Sequence, residues 1–338
     1  MNRKLLVWGM ALMIFVVNLP GARGQAYEFA VVSNSAAAGV SLSAVANNGN
    51  TFVCAGSQDS LVLAANTNYF ASFASGKFSG GYLLFSNAWT NTLDSPIKHN
   101  WLNCVAAQPN GFIASGASNS VFVSSDGVNW TKLGHVLSAS DKAYAADGVA
   151  YNPVSGTFAA ALAIYEASWT TNPISTNVWR TATLQNESFA ESFRGVASFA
   201  SNSMAMCGIL GDIRVSSDGG KVWNVSQNVN LNLPNLLSVA SDSGSNVVCA
   251  GDKSLIEVTT NGGPNATWTT QTNIMLGSSD STASFNAMAY SLVANEFLAA
   301  GTIDANGGMV MAPEASANAN WKWTRQTNLW ALQNGNLA

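Results

Sequence analysis

The chain has 338 residues, 48% of them apolar and only 9% charged, which excludes a disordered polyelectrolyte and leaves ample material for a buried core. Fourteen Lys and Arg against 18 Asp and Glu give a net charge of −4. So few basic residues leave no electrostatic footprint for non-specific nucleic-acid or anionic-membrane binding, and neither partner is expected.

At the N-terminus Arg3 and Lys4 precede the apolar run Leu5 to Val17, broken only by Gly9, and residues 18–24 turn polar with Pro20. This is the pattern of a secretory signal peptide over residues 1–24, which predicts a secreted or periplasmic mature protein. Small residues suit cleavage after Gly24 (Ala22, Gly24) or after Ala26 (Gly24, Ala26). An uncleaved anchor is the alternative, although the run falls short of the about 20 residues that span a bilayer. No later segment is long and apolar enough for a membrane helix.

From there on the chain repeats itself. A small residue, an aliphatic one and an alanine recur as Ala44-Val45-Ala46, Cys104-Val105-Ala106, Gly148-Val149-Ala150, Gly195-Val196-Ala197, Ser238-Val239-Ala240 and Ala287-Met288-Ala289. The aliphatic positions are 60, 44, 47, 43 and 49 residues apart, and the four shorter steps match one four-stranded propeller blade, about 40 to 50 residues. The second unit shows the strands: Trp101 to Ala106, the turn Gln108-Pro109-Asn110-Gly111, then Phe112 to Ser115, Val121 to Val123 and Trp130 to Leu133. Small side chains before the aliphatic residue are expected where innermost strands crowd around an axis. The long first step reads as an insertion at Tyr69 to Gly80. These units predict an all-β fold, a single propeller over residues 27–338 with six four-stranded antiparallel blades. A seventh blade built from the insertion and Tyr27 to Val32 is the alternative.

Four cysteines, Cys54, Cys104, Cys207 and Cys249, allow three full pairings after export. Phe-Val-Cys-Ala-Gly at 52–56 and Val-Val-Cys-Ala-Gly at 247–251 occupy one repeat position, where Phe112 to Gly116 has Ala114. Cysteine therefore reads as a small buried apolar residue there, and free thiols are expected. With no Cys-x-x-Cys pair and only two histidines, His99 and His135, no metal or cofactor signature is present.

A sharper motif closes the third-to-fourth turn. Ser216-Ser217-Asp218-Gly219-Gly220-Lys221-Val222-Trp223 fits Ser-x-Asp-x-Gly-x-x-Trp, Ser124-Ser125-Asp126-Gly127-Val128-Asn129-Trp130 is one residue shorter, and Thr259-Thr260-Asn261-Gly262-Gly263 before Trp268 has Asn for Asp. A short acceptor caps the turn's own N–H groups, glycine supplies positive φ, and tryptophan packs between sheets. Trp89, Trp179 and Trp321 or Trp323 hold the tryptophan place in the other units. The pattern resembles the Asp-box, or bacterial neuraminidase repeat, over about residues 42–326.

That resemblance implies a sialidase-like fold, and in sialidases an arginine triad, a Tyr–Glu nucleophile pair and an acidic Asp. The mature chain has only Arg180, Arg194, Arg214 and Arg325, none in the first two units, so the arginine pattern is missing. The layout is also similar to export-compartment propellers that assist photosystem II assembly, whose basic patches have no counterpart here.

In a propeller the Asp-box turns share one end with the first-to-second-strand turns, while the blade links and second-to-third loops share the other. The links and loops at that other end carry eleven acids against four bases. This predicts an acidic, aromatic-edged ligand-binding face comprising Lys98, Trp101, Asp141, Tyr144, Glu187, Glu191, Arg194, Asp212, Asp252 and Asp280. The expected function is a non-catalytic, monomeric binding or assembly scaffold for a carbohydrate or protein ligand. The alternative is an Asp-box glycoside hydrolase with paired carboxylates, such as Glu187 with Asp212 or Asp141 with Glu191.

Overall fold

Runs of Val, Ile, Ala and Phe, each stopped by an Asn-, Asp- or Gly-bearing turn, favour short strands that bury both faces. This computed structural model describes residues 40–48, 51–59, 69–79, 82–85, 90–92, 102–116, 120–127, 129–136, 145–163, 166–173, 178–185, 192–227, 233–263, 265–271, 274–275, 283–291, 296–303, 307–314 and 321–325. Among them there is no α-helix; they form six sheets that follow one another along the chain. The expected signal peptide and Tyr27 to Val32 lie outside the described residues.

From the inner strand outwards, sheet 1 comprises Val40–Asn47, Thr51–Asp59, Tyr69–Ser79 and Tyr82–Phe85, with Thr90–Thr92 also on the third strand. Sheet 2 comprises Leu102–Gln108, Gly111–Gly116, Ser120–Ser124 and Thr131–His135, and sheet 3 Ala146–Asn152, Thr157–Leu162, Ala167–Thr170 and Arg180–Thr181. Sheet 4 has Phe193–Phe199, Ser203–Gly208, Ile213–Ser216 and Val222–Gln227, with Thr183–Leu184 parallel along its outer edge. Sheet 5 has Leu236–Ser241, Val247–Gly251, Ile256–Thr259 and Thr269–Thr270. Sheet 6 has Ser284–Ser291, Glu296–Ile303, Gly307–Glu314 and Lys322–Arg325, again with a parallel outer piece, Ile274–Met275.

The six repeated triplets all fall on inner strands, and these neighbour one another in chain order from sheet 1 to sheet 6. Crowding explains the small residue that opens each triplet. A Cβ on Gly148 would sit 3.0 Å from the Val196 nitrogen, and one on Gly195 would sit 3.2 Å from the Ser238 Cα. Apolar clusters fill each gap between successive sheets; Trp223 lies in the one between sheets 3 and 4, and Trp321 with Trp323 in the one between sheets 5 and 6. Burying Trp223 and Trp323 completely is worth a few kcal/mol each at about 25 cal/mol per Å², so the tryptophans act as rivets between sheets.

One segment departs from the reading of the sequence. Tyr69–Ser79, expected as an insertion, is the third strand of sheet 1, and Tyr69 to Lys77 pair with Thr51–Asp59. The first repeat is long because this strand has 11 residues and carries two short outer partners, Tyr82–Phe85 and Thr90–Thr92.

Candidate functional site

Hydrogen bonds between neighbouring sheets separate the two ends of the array. At one end the first-to-second-strand turns meet the third-to-fourth turns: Thr157 of sheet 3 donates to the Gly219 carbonyl of sheet 4 at 2.8 Å, and the Gly219 N–H donates to the Asn202 carbonyl within sheet 4 at 2.8 Å. At the other end the second-to-third turns meet the links: Ile209 N–H donates to Ser192 at 3.0 Å, Asp252 N–H to Asn235 at 2.9 Å and Ser254 N–H to Ala283 at 2.7 Å.

The Ser-x-Asp turns are tied as a folding device would be. Ser216 Oγ donates to Asp218 Oδ1 at 2.7 Å and accepts from Gly220 N–H at 2.8 Å, while Asp218 Oδ1 accepts the Lys221 and Val222 N–H groups, both at 3.0 Å. Trp223 Nε1 closes the turn on the Gly220 carbonyl at 3.0 Å, and the glycine holds φ at +88°. In sheet 2, Ser124 donates to Asp126 at 3.0 Å, accepts from Gly127 N–H at 2.8 Å, and Trp130 Nε1 reaches the Gly127 carbonyl at 3.2 Å. In sheet 5, Asn261 accepts from Thr259 at 2.7 Å and, among the described residues, from one turn N–H, that of Thr267, at 3.2 Å; Trp268 Nε1 turns to Ser226 of sheet 4 at 2.9 Å.

At the link end, every inner strand carries a bulge. Its register slips by one residue immediately before the repeated triplet, leaving Ser43, Asn103, Asp147, Arg194, Leu237 and Asn286 as the extra residues. A bulge re-aims a side chain and commonly sits beside a functional site. Here the extra residues of sheets 2, 3 and 4 join hands: Asn103 Nδ2 donates to Asp147 Oδ1 at 2.8 Å, and Arg194 Nη1 to Asp147 Oδ2 at 2.5 Å. Burial lifts the Asp147 carboxyl above the usual aspartate range, with Arg194 and then Asn103 pulling it back. The Asp147 side chain is 13% exposed and that of Arg194 40%.

A second polar cluster at the same end links sheets 4, 5 and 6. Asp252 accepts from Asn235 Nδ2 at 3.0 Å and from Ser284 Oγ at 2.8 Å; Ser284 also lies 3.1 Å from Oδ1 of the bulge residue Asn286. Asn235 Oδ1 in turn holds the Leu210 N–H at 3.2 Å.

Of the residues expected on this face, Arg194 and Asp252 are at the link end, each in one of these clusters. Arg194 is not part of a link: it stands inside the inner strand of sheet 4. Asp212, also expected there, is fully buried and accepts from Arg214 Nε through Oδ2 at 3.2 Å. Lys98, Trp101, Asp141, Tyr144, Glu187, Glu191 and Asp280 lie outside the described residues. The bulge residues Asn103 and Asn286 were passed over because asparagine draws no attention singly. Their signal was positional: each directly precedes a repeated triplet.

Cys104, Cys207 and Cys249 are free and buried. Burial, then Asp147, raises the Cys104 thiol far above its usual value, and burial with Cys207 and Glu257 as neighbours does the same for Cys249. Protonated, enclosed thiols of this kind are packing residues and poor nucleophiles. Among the described residues no three His, Cys, Asp or Glu side chains gather into a metal site, and no helix is long and apolar enough to cross a membrane.

No family model and no curated protein matches the chain. Solved structures do. The crystal structure of RRP9 WD40 repeats is similar at 10% identity and a TM-score of 0.58, covering 84% of this chain and 80% of that one. The structure of U3-55K is similar at 9% identity and a TM-score of 0.59, covering 84% and 81%. A structure of YCF48 bound to D1 peptide overlaps at 16% identity and a TM-score of 0.45, covering 65% and 66%. The two WD40 likenesses, over four-fifths of the chain, together with the successive antiparallel sheets stacked by their inner strands, make this chain a β-propeller in fold.

Proposed function

We propose that the chain is a secreted, monomeric, six-bladed propeller of the Asp-box type that serves as a non-catalytic binding or assembly scaffold. Its ligand, a carbohydrate or a protein, is held at the link end. The observation that carries this reading is the hydrogen-bonded row Asn103–Asp147–Arg194, which makes one rigid polar floor out of three successive inner strands. Groups fixed on strands and locked by their neighbours lose little entropy on binding, which is what a recognition site requires. Arg194 keeps two-fifths of its side chain accessible while one nitrogen is anchored, leaving donors for a ligand carbonyl, hydroxyl or carboxylate.

Six sheets with six bulges in register support six blades, and Tyr69–Ser79, one part of the alternative seventh, pairs within sheet 1. The side-chain bonding of the Asp126 and Asp218 turns supports the Asp-box assignment. The charged, apolar and polar succession of residues 1–24 supports export. Binding is favoured over glycoside hydrolysis because both oxygens of Asp147 and both of Asp252 already accept bonds from neighbouring side chains. A general acid or nucleophile needs an oxygen facing the substrate.

The test is to screen the full chain on a glycan array and on a peptide array, with a hydrolysis assay on every glycan retained. Arg194→Gln is expected to weaken retention by about tenfold or more, as for loss of a central arginine contact, with only a small fall in melting temperature. Unchanged retention removes the link end from consideration, and turnover of a retained glycan replaces the scaffold with the hydrolase.

A further inference from the structure

At the opposite, Asp-box end, a groove of about 380 Å³ opens at the rim between sheets 3 and 4. Its floor is Trp169, and its walls include Thr171, Asn172 and Val178. Two cations stand over the single indole: the Arg180 guanidinium carbon is 5.4 Å and the Lys221 ammonium 5.2 Å from the ring centroid. Both are fixed by backbone. Arg180 is the direct cross-strand partner of Trp169. Lys221 is clamped on both sides, its N–H bonded to Asp218 Oδ1 at 3.0 Å and its carbonyl accepting from Thr183 N–H at 2.8 Å.

Neither cation has a carboxylate within ion-pair distance among the described residues, although the chain as a whole is acidic. Two positive charges held against one ring, with no carboxylate of the described residues beside them, repel each other unless an anion lies between them, and an arginine fork with an adjacent ammonium suits a carboxylate or sulfate. The remaining lining is a small-molecule surface: neutral hydroxyl and amide groups, one indole and one valine, in a volume at the lower end of the 300 to 1,000 Å³ of ordinary ligand pockets. Among its described lining residues Val178 is the one aliphatic side chain, which offers little to the side chains of a peptide.

We infer that this groove binds the acid group of an anionic sugar unit, a uronate or a sulfated pyranose, between Arg180 and Lys221 on the Trp169 platform. The Asp218 turn thereby does more than close a strand pair, because it aims Lys221 across the gap between sheets. The site lies at the other end of the molecule from the Arg194 floor, so the two are separable.

The experiment titrates the full chain at low salt with four probes: an oligogalacturonate, a heparin tetrasaccharide, maltotetraose and tetraglutamate. At least one of the two acidic sugars is expected to bind, and which one does tells carboxylate from sulfate; maltotetraose does not bind, and tetraglutamate binds at least tenfold more weakly. Arg180→Gln and Lys221→Gln each weaken the acidic sugar about tenfold. Arg180 is exposed, so that variant keeps the parent melting temperature. No binding of either acidic sugar, unchanged affinity in both groove variants, or tetraglutamate binding as tightly as the sugars overturns the proposal.

Discussion

Sheets 4 and 5 follow the same backbone path and carry opposite charges at the same place. In each, a glycine ends the second strand (Gly208, Gly251), a 3-10 turn with a left-handed middle residue follows (Leu210 at φ 53°, Lys253 at φ 52°), and an isoleucine starts the third strand. The next residue is Arg214 in sheet 4 and Glu257 in sheet 5, each 1% exposed. Arg214 is held by Asp212, by the Gln185 carbonyl at 2.5 Å and by the Phe193 ring at 6.0 Å; Glu257 accepts the Thr270 hydroxyl at 2.7 Å. The fold thus accepts either sign in its interior provided that each charge brings its own partner. The same pair differs in the turn cap, Asp218 against Asn261, and at the bulge, Arg194 against Leu237.

The largest effect is expected from breaking the charged pair. Arg214→Met strands the Asp212 carboxylate in the interior and should cost about 3 to 5 kcal/mol in urea unfolding. Glu257→Gln keeps an acceptor for Thr270 and should cost within about 1 kcal/mol. Equal losses would mean that the two positions are held by packing alone. The caps come next. Asp218→Ala removes an acceptor for two backbone N–H groups and should cost about 1 to 2 kcal/mol, whereas Asn261→Ala removes an acceptor for one and should cost about half as much.

The smallest effect sharpens the bulge comparison. Arg194→Leu gives sheet 4 the residue that sheet 5 has and takes from Asp147 its main opposing charge. The Asp147 pKa is already raised by burial, and losing Arg194 raises it further, so the folded state comes to favour the protonated acid. The cost should therefore be nil below about pH 4, where Asp147 is protonated folded or unfolded, and should grow as pH rises through the folded value. With the arginine 40% exposed, it should stay below about 1 kcal/mol at pH 7. Paired unfolding curves at pH 3.5 and pH 7 measure the difference; a pH-independent cost would show that the arginine contributes through its stem and not its charge.

Strand positions in sheet 2 were legible to within about two residues because Asn110-Gly111 and Ser124 to Gly127 are turns that declare themselves through φ and capping chemistry. Tyr69–Ser79 was read as an insertion because no such turn announces it and the strand is longer than the repeat leads one to expect. Asp212 looked like any loop acid; its bond to Arg214 is local, two residues along the chain, but its burial depends on the packing of the folded sheets.

The chain alone determined the repeat, the capped turns, the small residues around the axis and the burial of cysteine, since each follows from local conformation or side-chain volume. Tertiary structure alone decided which charges meet. Asn103, Asp147 and Arg194 are over forty residues apart in sequence at each step, and Lys221 reaches Trp169 from another sheet. Electrostatic and hydrogen-bonding partners are chosen by distance in space, and a one-residue slip in each inner strand was enough to set them.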